Sequence, residues 1–346
     1  MSIQLKAISH CFGQNRVLND ISLSLEAGEI LCIIGASGSG KSTLLRIIAG
    51  LEPLQQGELL FDSELMAAPN YCPPPEQRPV GLVFQDHALF PHLTVAENVG
   101  FGLHALDPIS RKQEVTAQLT SVGLADLAPR YPHTLSGGQQ QRIALVRALA
   151  TKPRVMLLDE PFASVDTPLR RQLREDARQR LRSSATTTIM VTHDPEEAMA
   201  MADHILVLSH GSAVQIGTPH ELWQNPAHPF VAETIAGLQT IHGVIDGERI
   251  ITAFGDLPRA NLLNPPAQQD GAEIVFGVRS ADIGVRYGQG QHLIEDVRFD
   301  GQHWSGLIRE GNAQLRVSLP SDQEQNLATG TPVNLSFTRT KAIAYN

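Results

Sequence analysis

The segment Gly35–Ser42 has the spacing GxxxxGK[ST], and it lies between an apolar run, Glu29–Ile34, and an apolar helical pattern, Lys41–Ala49. Glycines at such a turn let backbone N–H groups approach phosphate oxygens, because no Cβ stands between them. Unpaired N–H groups and the dipole at the start of a helix also favour an anion. The sequence therefore predicts a buried strand, a phosphate-binding loop and a helix; the alternative is a glycine-rich turn without a ligand.

Two side chains of this loop suit a triphosphate bound together with Mg²⁺. Lys41 would place a cation on the β- and γ-phosphates, and Ser42 would offer its hydroxyl to the metal. The predicted phosphate contacts are Gly35, Ala36, Ser37, Gly38, Ser39, Gly40, Lys41, Ser42 and Thr43.

Short apolar runs alternate with helical patterns over the first two thirds of the chain. This alternation predicts an α/β core with a parallel sheet. The predicted strands are Ile3–Cys11, Val17–Leu25, Glu29–Ile34, Val80–Phe84, Val155–Leu158, Thr188–Val191 and Ile205–Leu208. A helix with the apolar stripe Leu169, Leu173, Ala177 and Leu181 carries many arginines on its remaining surface, which we predict to be solvated.

The composition changes after about residue 238, where strand-like pieces are broken by Gly, Pro and Asn. This pattern predicts a small all-β domain. A length of 346 residues also favours two domains over one core. The predicted domains are 1–238 and 239–346, and the predicted C-terminal strands are Ile241–Ile245, Ile274–Val278, Leu315–Leu319 and Val333–Phe337.

Charge and composition exclude several functions. The formal net charge of -9 disfavours a broad nucleic-acid surface. The sequence has no apolar run near the ~18 residues that cross a bilayer, and Met1–Gly13 lacks the pattern of a signal peptide. The 3 cysteines, Cys11, Cys32 and Cys72, lack metal-ligand spacing, so we predict free thiols in a reducing compartment.

The apolar run Val155–Leu158 ends in two acids, Asp159 and Glu160. Ligands of open α/β sheets gather at the carboxyl ends of strands, and neighbouring strand residues point to opposite sides. We therefore assign Asp159 to the Mg²⁺ shell and Glu160 to polarising the attacking water. The alternative is an acidic pair that faces solvent.

The segment Leu135–Gln139 precedes a predicted helix, Gln140–Ala150. Ser136 and Gln139 have capping-box spacing, so Ser136 is predicted to be the N-cap. An ordinary capped helix is the alternative reading. It does not explain Gly137 and Gly138, which destabilise a helix but leave its first N–H groups open to an outside anion.

These segments together resemble the ABC ATPases, with the motifs in the same order over residues 1–235. In this resemblance Phe12 is the aromatic that stacks on adenine, Gly35–Ser42 is Walker A, Gln85 the Q-loop, Leu135–Gln139 the signature, Val155–Glu160 Walker B, Ser164–Asp166 the D-loop and His193 the H-loop. Val165 stands where the family commonly has Leu, a conservative change. The resemblance implies a RecA-like P-loop core with a helical subdomain at about 86–151.

The resemblance also implies a homodimer that shares two ATP molecules with Mg²⁺. Ser136, Gly138 and Gln139 of one subunit would close on the γ-phosphate bound by the other, and Asp166 would cross the interface. His193 would contact the γ-phosphate. Gln85 would touch Mg²⁺ and the water, and it would link the site to a membrane subunit.

Importers in this family provide the remaining resemblance. Phe84–Val99 looks like the part of the helical subdomain that receives a permease helix, with Leu89, Phe90 and Leu93 as apolar contacts; internal packing is the alternative. Residues 239–346 resemble an OB-like accessory domain, although Val278–Ile283 departs from its usual sequence. The implied partners are integral-membrane permease subunits and, indirectly, a substrate-binding protein, with the ATPase peripheral on the cytoplasmic face of the inner membrane.

The amino-acid sequences of several segments, including Tyr131–Ser136, most resemble those of ferric-iron importer ATPases. We therefore expect ferric iron as the cargo, with polyamine, sulfate, phosphonate or sugar as alternatives. A soluble ABC ATPase acting on DNA or ribosomes is a further alternative, disfavoured by the acidic charge and by the absence of a second ATPase half from the sequence.

Overall fold

The computed structural model describes residues 1–163, 165, 167–263, 269–301, 303–320, 328–337 and 342–345, without the side chains of 167–169 and 289. The strands are β1 Ile3–Phe12, β2 Asn15–Leu25, β3 Ile30–Ile34, β4 Gln56–Phe61, β5 Glu64–Ala67, β6 Val80–Val83, β7 Val155–Asp159, β8 Thr187–Thr192, β9 His204–Ser209, β10 Ser212–Gly217, β11 Gln239–Asp246, β12 Arg249–Thr252, β13 Gly255–Pro258, β14 Leu262–Leu263, β15 Glu273–Val278, β16 Gly284–Phe299, β17 Trp304–Glu310, β18 Ala313–Leu319, β19 Pro332–Ser336 and β20 Ala342–Ala344. The helices are α1 Lys41–Ala49, α2 Val95–Gly100, α3 Pro108–Ser121, α4 Gly137–Ala150, α5 Thr167–Ser183, α6 Pro195–Met201, α7 Pro219–Gln224 and α8 Pro229–Thr234.

The N-terminal unit, Met1–Pro219, contains two sheets. One is antiparallel with the order β2-β1-β4-β5, and the other has the order β10-β9-β3-β8-β7-β6. In the second sheet β9, β3, β8, β7 and β6 run parallel, as the alternation of strands and helices predicts. Side chains from both sheets and from α1 form one apolar core.

Strand register brings three loops to one edge of the parallel sheet. Ile34 at the end of β3 pairs with Thr192 at the end of β8. Asp159 at the end of β7 pairs with Val191. The glycine loop after β3, the acids at the end of β7 and His193 after β8 therefore lie side by side, where ligands of such sheets bind.

Helices α2, α3 and α4 share an apolar core of their own, which includes Val95, Leu119, Leu135 and Ile143. Local chemistry defines their starts. Thr94 forms a capping box with Glu97 at α2, and α3 begins with the N-cap Asp107, whose carboxylate accepts from two backbone N–H groups. This segment is a compact helical layer beside the parallel sheet.

The arginine-rich helix α5 buries Leu173, Ala177 and Leu181 as its stripe predicts. The predicted solvated arginine face is wrong at two positions. The side chain of Arg174 is only 12% exposed and that of Arg170 only 27% exposed. Carboxylates and carbonyl groups of neighbouring segments provide partners that a helical pattern alone does not reveal.

The C-terminal compact unit spans His220–Asn346, so the division between the two units falls at the start of α7, and α8 belongs to the C-terminal unit. The reason is packing, since Ala232 and Ala236 form a small apolar cluster with Leu238 and Ile343 of this unit. Its sheets have the orders β13-β12-β11-β15-β20-β14 and β18-β17-β16-β19. The predicted strands of this region lie in or overlap β11, β15, β18 and β19.

Candidate functional site

A cavity of about 590 Å³ opens at the edge of the parallel sheet. Its volume is typical of small-molecule sites. The residues that line it come mainly from the motifs singled out in the sequence: Phe12, Asn15, Val17, Ser37, Gly38, Gly40, Lys41, Ser42, Thr43, Glu160 and His193.

The glycine loop presents its backbone and one buried cation to this cavity. Gly40 precedes α1 with φ 100, a conformation that favours glycine. Lys41 Nζ donates to Gly35 O at 2.8 Å and to Ala36 O at 2.9 Å. Burial lowers the pKa of Lys41, whereas the nearby Glu160 and Asp159 carboxylates act in the opposite direction. An ammonium has three donors, so one remains for an anion in the loop.

The side chains of Ser42 and Asp159 place oxygen atoms next to each other beside the loop. Ser42 Oγ donates to Asp159 Oδ1 at 3.1 Å. Burial raises the pKa of Asp159, and repulsion from Glu160 acts in the same direction, while the Ser42 hydrogen bond, Arg46 and Lys41 lower it. The described residues contain no group of three His, Cys, Asp or Glu side chains that could hold a metal. Mg²⁺ fits nevertheless, because it commonly takes one or two protein oxygens and completes its shell with phosphates and water.

Glu160 directly follows β7 and His193 directly follows β8, and their side chains contact each other. Glu160 has φ 44, and its N–H donates to Val191 O at 3.0 Å. Such a backbone is uncommon outside glycine. His193 Nδ1 lies 3.0 Å from Glu160 Oε2, with the two side chains 64% and 21% exposed. The hydrogen-bonded pair therefore lies at the mouth of the cavity, where the histidine can reach solvent.

Phe12 ends β1 and provides the aromatic face of the cavity. Its side chain is 50% exposed. Its ring packs edge to face on the buried His10, with centroids 4.7 Å apart and planes at 70°. Asn15 and Val17 of β2 join it because Phe12 pairs with Asn15 at the end of the β1–β2 hairpin. The sequence analysis missed these two residues; the short turn Gly13–Gln14 between the two predicted strands was the available signal.

Other predicted site residues lie outside the cavity of the single chain. Gln85 is exposed in the turn that follows β6, the strand that pairs with β7. Ser136 is the N-cap of α4 and forms the predicted capping box with Gln139, and Gly138 is buried in the first turn. Ser39 is buried close to Gly35 in the loop, and Ala36 is exposed there. Asp166 lies outside the described residues.

Asp159 is expected to reduce the stability of the chain without nucleotide. Because burial raises the pKa of this carboxyl, the folded state binds its proton more tightly than the unfolded state, so ionisation at neutral pH lowers the stability of the fold. Asp159→Asn keeps an acceptor for Ser42 and removes the charge. We expect its thermal midpoint to rise by about 2 °C or more in calorimetry without Mg²⁺, while Mg-dependent ATP hydrolysis is lost. The same substitution at the exposed Asp246 is the control. An unchanged or lower midpoint of Asp159→Asn at pH 7 would contradict this expectation.

No helix among the residues described is both long and apolar enough to cross a membrane.

Comparisons with known proteins identify the family. The family described as ABC transporter matches residues 18–163. The chain is 45% identical over 256 residues to the sulfate/thiosulfate import ATP-binding protein CysA of Yersinia pestis, covering 72% of this chain and 69% of that protein. It is 45% identical over 291 residues to CysA of Bordetella parapertussis, covering 82% and 79%.

Solved structures provide an independent comparison. A dimeric ATP-binding cassette in a post-hydrolysis state, bound to ADP and Pi, has a TM-score of 0.55 and 30% identity. The match covers 62% of this chain and 98% of that one. The predicted P-loop α/β fold is thus confirmed, and the chain belongs to the ATP-binding subunits of the ABC transporter family.

Proposed function

We propose that this protein is the ATP-hydrolysing subunit of a membrane importer whose cargo is sulfate or thiosulfate. The main support for ATP hydrolysis is the cavity, which is lined by the glycine loop, Ser42, Glu160 and His193. The assignment to an importer and to this cargo draws on the relatives at 44–46% identity, whose names state sulfate/thiosulfate import.

ATP binding follows from the distribution of charge and aromatic surface in the cavity. Phe12 would stack on the adenine, and backbone N–H groups of the glycine loop would receive the phosphates. Lys41 would contribute its remaining donor to the β- and γ-phosphates. Thr43, in the first turn of α1, would add a contact near the α-phosphate end of the loop.

Hydrolysis requires a positioned water and charge neutralisation. Asp159 and Ser42, with Gln85, would hold Mg²⁺, and this ion would offset charge on the phosphates. Glu160 would accept a proton from the attacking water, since its carboxylate lies at the cavity mouth. His193 would leave Glu160 and contact the γ-phosphate once ATP is bound.

A second subunit would complete each site. Ser136, Gly138 and Gln139 begin a capped helix that lies outside the cavity of its own chain, and a helix start of this kind favours an anion. We propose that they reach the γ-phosphate of the partner in a head-to-tail homodimer, with Asp166 at the interface. The dimeric state of the solved relatives supports this arrangement.

An apolar surface on the helical layer would receive the permease. Phe101 is 53% exposed, and its ring lies 4.3 Å from that of Phe90. Arg147 covers Phe90 at 5.2 Å. Leu89 packs against the internal core of this layer, so we assign the contact to Phe90 and Phe101 in preference to Leu89. Docking here would place the protein peripherally on the cytoplasmic face of the membrane, with a substrate-binding protein only indirectly linked.

The comparisons do not support ferric iron, the cargo expected from the sequence text. Uptake measurements separate the two assignments. We expect a strain that lacks this chain to lose uptake of radioactive sulfate and thiosulfate, to keep uptake of radioactive ferric iron, and to recover with the wild-type gene but not with Glu160→Gln. Loss of iron uptake alone would contradict the sulfate assignment. Co-purification with nucleic acid or ribosomes, and not with an integral-membrane protein, would contradict the importer.

A further inference from the structure

Arg170 connects the segment after Glu160 to the segment after His193. Its Nη2 donates to Val165 O at 3.0 Å, and its Nη1 lies 3.6 Å from Asp194 Oδ2. Both charged side chains are mostly shielded, at 27% and 23% exposure. A planar guanidinium can engage two partners at fixed angles, which a lysine ammonium does not reproduce.

The first of these partners belongs to a short turn that starts at Glu160. Ala163 N donates to Glu160 O at 3.2 Å, and Val165 N donates to Phe162 O at 3.3 Å. Phe162 and Val165 are buried. Through these two hydrogen bonds and the buried Phe162, the position of Val165 is coupled to the backbone of Glu160.

The second partner fixes the residue next to His193. Asp194 Oδ1 accepts from the N–H of Glu196 at 2.8 Å, as the N-cap of α6. Asp194 N donates to Thr192 Oγ1 at 3.0 Å, and Thr192 Oγ1 donates to the buried Glu197 at 2.6 Å. Both neighbours of His193 are thereby held, while the His193 side chain itself is exposed.

The contacts form a closed ring that runs from Glu160 to His193, then through Asp194 and Arg170 to Val165 and back to Glu160. We propose that Arg170 is a positioning residue that holds the water-polarising carboxylate and the histidine in register for hydrolysis. It acts through these groups and does not touch the nucleotide. The inference rests on the proposed ATPase function.

The test compares Arg170→Ala with Arg171→Ala in the full-length chain. Arg171 is the exposed neighbour on the same helix, so its substitution controls for lost charge and helix propensity. We expect Arg170→Ala to lower kcat for Mg·ATP about ten-fold or more, because small misplacements of catalytic groups have large effects. Its Kd for ATP should stay within about two-fold of wild type, since a purely geometric defect leaves ground-state binding intact. Arg170→Lys should have a kcat between those of Arg170→Ala and wild type, and Arg171→Ala should keep the wild-type kcat.

Asp194→Asn provides a second route that keeps the helix cap, because asparagine is also a good N-cap. Its kcat should fall, and the double variant with Arg170→Ala should lose less than the product of the single losses, since the pair acts as a unit. Three results would overturn the inference. The first is a wild-type kcat in Arg170→Ala, and the second is a double variant whose loss equals the product of the two single losses. The third is a fall of kcat in Arg170→Ala that comes with a parallel fall of thermal midpoint and ATP affinity. A wild-type chain without Mg·ATP turnover would instead overturn the proposed function and this inference with it.

Discussion

Replacement of Glu160 by glutamine is expected to lower the rate of ATP hydrolysis by about two to four orders of magnitude, the range typical for loss of a general base. Glutamine has the same shape and can still hydrogen-bond to His193, but it does not accept a proton from water. ATP affinity should remain near wild type, because the glycine loop and Lys41 are unchanged. Phosphate release and equilibrium ATP binding, measured on the same protein, check both expectations.

The same variant tests the shared site. With hydrolysis blocked, ATP and Mg²⁺ should hold two chains together, and light scattering should report a dimer that dissociates when ATP is removed. Adding Ser136→Ala should weaken that dimer, since this hydroxyl would face the partner's γ-phosphate. Glu76→Gln, at an exposed position outside the cavity, is the matched control and should hydrolyse ATP normally. Near-normal turnover in Glu160→Gln would remove Glu160 from its proposed role.

Features set by neighbouring residues were predictable from the sequence. The strand, glycine loop and helix at 29–49 depend on local φ preferences and an unbroken apolar run, and the structure forms them where predicted. The N-cap at Ser136 is likewise a property of residues three apart. For such elements the chain needs no information about distant partners.

Features set by the order of strands were not predictable in this way. Glu160 and His193 are separated by 33 positions, and they meet because β7 and β8 are neighbours in the sheet. The sequence shows both strands but not their adjacency. The resemblance in motifs assigned both residues to one site but did not predict the hydrogen bond between them. Asn15 and Val17 were missed for a similar reason, since the hairpin register decides which β2 side chains reach the cavity.

Burial of charged residues was the hardest feature to foresee. An arginine on a helix opposite an apolar stripe is usually solvated, and this rule failed at Arg170 and Arg174 because carboxylates on α6 and its preceding loop lie beside them. The segment 229–238 shows the same limitation. Its apolar residues give no indication of the unit against which they pack, and in the structure they lie in the C-terminal unit.

Replacement of Gly35 by alanine is expected to weaken ATP binding and to lower the stability of the fold, and the loss of affinity should exceed what the loss of stability alone would cause. A Cβ at this position would lie 2.1 Å from Leu208 O of β9 and 2.7 Å from Ser39 Oγ. A backbone carbonyl within a sheet cannot move far, so the loop must shift. Overpacking of this kind costs about 1–3 kcal/mol. In a domain of about 150–250 residues, the size range of the N-terminal unit, each kcal/mol lowers the thermal midpoint by roughly 2–4 °C.

The shift would also misalign the N–H groups that receive phosphate. Hydrogen bonds to charged groups contribute about 1.5–3 kcal/mol each, so the loss of one should raise the Kd for ATP roughly ten-fold or more. Gly284→Ala adds the same methyl group in the C-terminal unit, where the nearest atom is Ser336 Cβ at 3.3 Å, and it should leave ATP affinity unchanged. Isothermal titration of both variants with ATP, beside their melting curves, separates the two effects. If Gly35→Ala bound ATP as tightly as Gly284→Ala, the close approach of Gly35 to β9 would not be needed for the phosphate-binding shape of the loop. The assignment of Gly35 to ATP binding would then be wrong.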